Sequence, residues 1–313
     1  MVNRVGRPVE EIMAEIEQEK LEKAQKVELK SQKLFVNDKV LLGDAEKSFS
    51  RMVGLPLAFV KGCDDDDLSN RILSHCSTNL EAIKVVETGD VVTRVFPDSY
   101  QYVSRRRFLE MFVKKEPKAE VESYDKSRIS LVTERAAHPP KKIDDISYGG
   151  LTFELAYPSY RVEGFIYRLA CLNGMLSPHM YSTMVDSKIN LEPELMNMAD
   201  NCLKFVEGNF MPKFMELDET KVDNPTQLVH RIAQRYGLPA GVVKTIADKV
   251  PSLEAPVSYY DVVNLITSIG RDKITEGMGK TGRSLQRFGG YMTHVSNKHY
   301  CSTCGCDLDK EQK

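Results

Sequence analysis

Tryptophan is absent from these 313 residues. Also absent is any run of about 18 apolar residues of the kind that crosses a membrane as a helix. The first residues, Met1-Val-Asn-Arg-Val-Gly-Arg-Pro8, carry no apolar signal core, so the expectation is a cytoplasmic chain without a membrane partner. Neither sign of charge dominates: Lys+Arg 43 against Asp+Glu 45 leaves −2. The whole chain is therefore no general polyanion binder, and contact with nucleic acid requires a local basic patch. The G-x-S-x-G motif of serine hydrolases is missing. Gly277-Met-Gly-Lys280-Thr281 imitates a phosphate loop, but G-x-x-x-x-G-K-[ST] requires glycine where Ile274 stands. His75, His138, His179 and His230 share no metal spacing such as H-E-x-x-H.

What is present describes an ordinary globular chain. It is 42% hydrophobic and 28% charged, and its length suits about two domains. Seven cysteines is an odd number, and Cys63, Cys76, Cys171 and Cys202 are scattered. That pattern suits reduced thiols better than a disulfide framework.

Composition divides the chain into a charged N-terminal helix or arm (1–45), an α+β core (46–215), a helical C-terminal region with a Gly-rich basic segment (216–295) and a Cys-rich tail (296–313). Residues 8–35 read as one long helix. Pro8 suits its first turn, Glu10 and Glu11 complement its dipole, and Glu19–Lys23 and Glu22–Lys26 are i,i+4 pairs. Its thin stripe of Val9, Ile12, Met13 and Ile16 leaves two readings, a solvated arm or an oligomerisation helix. The acids Asp64–Asp67 precede a helix, and capping explains them more simply than a cation.

From Ile83 the period becomes strand-like, with Gly89-Asp90 as a hairpin turn. Residues 128–134, 151–157 and 161–171 continue as strands, the last two as an antiparallel pair. Short turns without intervening helices predict an α+β fold: an antiparallel sheet core with flanking helices, a long N-terminal helix and a helical C-terminal part. The helical part comprises Leu195–Phe214, ended or kinked by Pro212, then 225–236, 242–250 and 258–273.

Three segments together resemble one family. Val91-Val-Thr-Arg-Val-Phe-Pro-Asp-Ser-Tyr-Gln-Tyr-Val103, Arg168-Leu-Ala-Cys171-Leu-Asn173-Gly174-Met175 and Val257-Ser-Tyr-Tyr-Asp-Val-Val-Asn-Leu-Ile-Thr267 resemble, in order and spacing, the YfjQ-like family of uncharacterised phage- and plasmid-borne proteins. The resemblance spans roughly 80–270. It implies a mobile-element origin and life in a host cytoplasm, and no known reaction. The turn Pro158-Ser-Tyr-Arg-Val-Glu-Gly164 departs from that family's pattern.

The tail offers the clearest chemistry. Cys301-Ser-Thr-Cys304-Gly-Cys306, with His299, could supply four ligands to a structural zinc. A reduced tail, or a half-site completed by another subunit, uses the same residues. Two aromatic and basic clusters point to nucleic acid. In one, Lys280, Arg283 and Arg287 lie among glycines with Phe288 and Tyr291; in the other, Tyr100 and Tyr102 precede Arg105, Arg106 and Arg107. Arginine and lysine neutralise phosphates, rings stack on unpaired bases, and glycine permits close approach. Ordinary surface charge with the rings turned into the core is the competing account. The favoured expectation is a phage-encoded homo-oligomer that binds or anneals single-stranded DNA without catalytic residues. A structural or host-interaction protein, such as a virion component, is the alternative. An enzyme would have to use Asp64–Asp67, Glu154 or Glu163.

Overall fold

A computed structural model describes residues 6–62, 66–125, 127–138, 147–156, 159–168, 173–184, 190–253 and 255–299. The chain opens with β1 (Arg7–Pro8) and α1 (Val9–Glu15), and the helix expected over 8–35 stops there. In its place follow β2 (Glu19–Lys23), β3 (Val27–Lys30), β4 (Lys33–Val36) and β5 (Lys39–Leu41). The cause is a change of period. After Ile16 the apolar positions recur at every second residue: Val27 and Leu29, then Leu34 and Val36. The links Ser31-Gln32 and Asn37-Asp38 have positive φ at both residues, the twist that tight hairpins need. Isolated i,i+4 charge pairs contribute only about 0.2–0.5 kcal/mol each, whereas full burial of a leucine or valine contributes about 1.5–3 kcal/mol. Leu34 and Val36 are both fully buried, so burial wins.

Next come α2 (Gly43–Met52), α3 (Leu57–Lys61), α4 (Asp66–Ser77), β6 (Ile83–Thr88), β7 (Val91–Pro97) and α5 (Arg105–Lys115). The hairpin expected from Ile83 is present, with Gly89 in its turn at φ +57°. Asp66 and Asp67 lie in the first turn of α4, where they complement its dipole. Cys63, Asp64 and Asp65 lie outside the described residues.

Strands β8 (Glu120–Tyr124), β9 (Arg128–His138), β10 (Ser147–Ala156), β11 (Ser159–Arg168) and β12 (Asn173–Met184) follow. β10 and β11 are the expected antiparallel pair, with Leu151 opposite Gly164 and Phe153 opposite Val162. Cys171 and the side chains of Arg168 and Asn173 lie outside the described residues.

The helical part begins with α6 (Leu191–Phe205) and α7 (Met211–Glu216), joined by a π-helical segment, Val206–Phe210. Pro212 follows this widened turn. It lacks an N–H, and its ring would crowd the carbonyl four residues earlier in a regular helix. Then come α8 (Pro225–Tyr236), α9 (Ala240–Lys249), α10 (Tyr259–Thr275) and α11 (Gly279–His299). Asn224 caps α8 by accepting from the Gln227 N–H at 3.1 Å, and Ser258 and Asp261 form a capping box on α10.

The fold is thus α+β, with antiparallel sheets, flanking helices and a helical C-terminal part. Among the described residues the chain forms two compact units interleaved in sequence. The smaller comprises Glu10–Met111 and Met184–Glu194; the larger comprises Met1–Val9, Phe112–Thr183 and Leu195–Lys313. Composition changes suggested cuts at 45, 215 and 295, but compactness follows strand pairing, which sets Arg7 beside Val121. The smaller unit holds the sheet β2-β6-β7-β5-β4-β3, whose β5–β7 pairing is parallel, over a core that includes Phe49, Val60, Ile72 and Val85. The larger holds β1-β8-β9-β10-β11-β12, with a helical core built on Phe210, Phe214, Ile232, Tyr259 and Phe288.

Candidate anion-binding site

The two basic clusters behave differently once folded. In the smaller unit, three carboxylates match the run Arg105–Arg107. Arg105 Nη2 donates to Glu19 Oε1 at 3.2 Å, and the Tyr102 hydroxyl donates to Glu19 Oε2 at 2.6 Å. Both charged side chains of that pair are nearly buried. Arg106 pairs with Glu110 one turn along α5 at 3.5 Å. Arg107 holds Glu192 with both Nε and Nη2, at 2.7 and 2.8 Å. These hydrogen bonds and charges push the Arg107 pKa further up. Gln18, Glu19, Ser104, Arg106, Arg107 and Glu110 line an open cleft of about 330 Å³. With each guanidinium facing a carboxylate, this cleft offers no net positive charge to a phosphate chain. Tyr102 packs on Phe96 at 5.4 Å and Tyr100 is half-buried, so neither is a free stacking platform.

In the larger unit, the expected glycine-rich basic segment is the helix α11. Its glycines at 282, 289 and 290 serve packing. A Cβ on Gly282 would overlap the Gly270 carbonyl of α10, and one on Gly290 would overlap the Leu176 carbonyl of β12. Removing side chains at these two positions lets the backbones approach, whereas Gly277, at φ +81°, has nothing within 4 Å of an added Cβ and Gly279 meets only the Arg283 guanidinium. Phe288 is fully buried, 5.3 Å from Tyr236, so it cannot stack on a base. Tyr291 is half-buried against the same Tyr236 at 5.1 Å. The rings of α11 turned inward because they repeat at helical spacing on its apolar face.

The cations of α11 meet a polar strand face. Residues opposite one another in an antiparallel pair share a face. Glu154 lies opposite both Arg128 and Arg161, and Thr152 opposite both Ser130 and Glu163. Arg287 spans to this face and grips Glu163 with Nε and Nη2, both at 2.7 Å. Glu163 is 5% exposed and acts as the partner of Arg287, which argues against its use as an enzyme's acid. Arg128 Nη2 donates to Thr152 Oγ1 at 3.2 Å, and Thr152 Oγ1 lies 3.1 Å from Ser130 Oγ. Arg128 Nε is buried with no hydrogen-bond partner. An unmade buried donor of this kind costs about 1–3 kcal/mol.

Burial is the largest influence on Arg128 and pushes its pKa down. Glu163 and Glu154 oppose the shift, while Arg283 and Arg287 reinforce it. Arg283 folds its guanidinium back over Gly279, and Lys280 is exposed in the first turn of α11. Among the described residues neither Lys280 nor Arg283 makes an ion pair. Nearby, burial pushes the Glu122 carboxyl up, against the Ser123 hydrogen bond and the charges of Arg128 and Arg271.

Sequence reasoning named Lys280, Arg283 and Arg287 but missed Arg128. The signal was there: Arg128 and Ser130 alternate with Ile129 and Leu131, which places a charge on one face of a strand. Nothing in the sequence said which helix would cover that face. Cys301, Cys304 and Cys306 lie outside the described residues, as does the side chain of His299. Among the described residues no group of three or more His, Cys, Asp or Glu side chains is placed to hold a metal, and no helix is long and apolar enough to cross a membrane. No protein-family model, curated protein or solved structure matches this chain.

Proposed function

We propose that this protein binds nucleic acid, single-stranded DNA in the first instance, through the start of α11 and without catalytic residues. The supporting observation is the local charge balance: Lys280 and Arg283 have no ion-pair partner among the described residues, and Arg287 already occupies Glu163. Phosphates are the natural counter-charge for such a surface. The Arg105–Arg107 run is left out of the contact, because Glu19, Glu110 and Glu192 neutralise it. The YfjQ-like segments favour a mobile-element setting, where strand annealing or protection is a ready use.

The test is retention of a ~40-nucleotide strand by the full chain across a salt series. The logarithm of affinity should fall with that of salt by roughly 0.7 per phosphate neutralised. Lys280→Glu with Arg283→Glu should abolish retention, while Arg106→Glu should leave it unchanged. Absence of retention at low salt, or equal loss from all three changes, overturns the reading.

One observation supports an assembly role as a second reading. Ile274 and Met278, at 38% and 42% exposure, flank the α10–α11 turn. A second copy of the chain that covered this turn would take both side chains out of water. Light scattering on the wild type and on Ile274→Ser/Met278→Ser decides it: a smaller particle in the variant supports assembly through this turn, and an unchanged mass removes it.

A further inference from the structure

We infer that the free edge of β2 docks a second copy of this chain, antiparallel and centred on Leu21. The inference goes beyond the polynucleotide reading and does not rest on it. β2 ends its sheet, and among the described residues its strand ladder is to β6 alone. The Ala24 N–H donates to the Ile83 carbonyl at 3.0 Å, one register step beyond the pairing of Lys23 with Lys84. Successive residues of an antiparallel strand turn their N–H and C=O groups to opposite sides. Lys20 and Glu22 therefore bond β6, while Glu19, Leu21 and Lys23 turn theirs outward. The Lys23 carbonyl is met by Asn37 Nδ2 at 2.9 Å, which leaves Leu21 at the middle of the open stretch. Leu21 is 38% exposed, so its side chain gains by being covered.

An open edge recruits other strands unless its side chains prevent it. Here the charges favour one pairing of the edge with its own kind. β2 reads Glu19-Lys-Leu-Glu-Lys23, whose charges change sign when the strand is reversed about Leu21. In that antiparallel register Lys20 stands opposite Glu22 of the second copy, Glu22 opposite its Lys20, and Leu21 opposite Leu21. Opposite charges across such a pair attract, and like charges repel. A slip of one residue sets Lys20 against Lys23 or Glu19 against Glu22, and a parallel pairing in register sets each charge beside its own kind. The two Lys20–Glu22 pairs fall at non-hydrogen-bonded positions, where side chains stand closest. Within one copy these two residues already lean on each other at 2.5 Å, with side chains 70% and 33% exposed. Docking brings both copies of that pair together as alternating charges on one face. Glu19 contributes less, because Arg105 and Tyr102 hold it. Five residues make a small interface, so the complex is reversible and sensitive to salt.

The experiment is sedimentation velocity of the full chain up to about 1 mM, the range in which a small interface fills. The proteins are the wild type, Lys20→Glu, Glu22→Lys, and an equimolar mixture of the two variants. Both side chains reach solvent, and an unfolding transition like that of the wild type verifies each variant. The wild type should form dimers that ~0.5 M salt weakens. Each single reversal sets like charges opposite one another twice, and should weaken association about tenfold or more. The mixture should recover wild-type dimerisation, because two acids of one variant then meet two lysines of the other. A wild type that stays monomeric throughout, reversals without effect, or a mixture that associates no better than its components overturns the inference. Dimers that survive both reversals and dissociate in Ile274→Ser/Met278→Ser overturn it in favour of the α10–α11 turn. Strand retention by the same samples tests the polynucleotide reading separately, since Lys20 and Glu22 lie outside α11.

Discussion

Gly282→Ala adds one methyl group to α11 where α10 leaves no room for it. Taken alone, the change should help. Alanine in a helix interior is favoured over glycine by about 1 kcal/mol. Here the new Cβ would overlap the Gly270 carbonyl and the Ile274 side chain, and would lie 3.0 Å from the Ile274 backbone nitrogen. A side chain can rotate aside, but two backbone groups of a packed helix cannot. The helices must part, and forced overpacking costs about 1–3 kcal/mol. With backbone on the receiving side the upper end applies, so the net loss is about 1–2 kcal/mol. Gly241→Ala near the start of α9 is the control, since nothing lies within 4 Å of its added Cβ. It should gain about 0.5 kcal/mol, because glycine's freedom in the unfolded chain is removed at no steric cost. Urea unfolding followed by far-ultraviolet circular dichroism, at constant m-value, measures both. Opposite signs support the packing role of these glycines. If Gly282→Ala is as stable as wild type and loses strand binding instead, the glycine serves phosphate approach and the packing argument fails.

Three further outcomes follow from the charges and thiols. Glu163→Gln removes the partner of a largely buried guanidinium; because Arg287 keeps 35% side-chain exposure, the loss should be about 2–3 kcal/mol, below the usual range for such pairs. The joint change Glu163→Leu/Arg287→Met should recover most of it, and additive losses in that double-mutant cycle would refute the pairing. The Glu122 carboxyl, raised above its ordinary 4.5 by burial, binds its proton more tightly folded than unfolded, so its support for the fold is complete below pH 4.5 and fades as pH rises through the raised value. Glu122→Gln should therefore stabilise the protein at neutral pH and lose that advantage in acid; a constant difference across the titration contradicts the assignment. Burial pushes the Cys76 thiol up to about 11 and the Cys202 thiol up as well, so mass-mapped alkylation of the native chain should spare both until denaturant is added.

The elements that were legible share one property: their signal is local. The Gly89-Asp90 hairpin, the Asn224 cap of α8 and the antiparallel pairing of β10 with β11 each follow from residues close in the chain. The N-terminal segment misled because charge pairs at helical spacing were weighed above the alternation of Val27, Leu29, Leu34 and Val36. That alternation only acquires energy once a sheet exists to bury it. The basic clusters misled for a related reason. Arg105 and Arg107 looked available because Glu19 lies 86 residues from the first and Glu192 lies 85 residues from the second.

Composition and pattern alone determined an α+β chain with an antiparallel core and a helical C-terminal part, because secondary-structure periods and capping residues act over a few positions. Tertiary structure alone decided which charges remain unmatched. It spent Glu163 on Arg287, matched the Arg105–Arg107 run with carboxylates, folded Phe288 into the core and left the buried Arg128 Nε without a hydrogen-bond partner. Coulomb energy depends on separation in space and on burial, and neither can be read from separation along the chain.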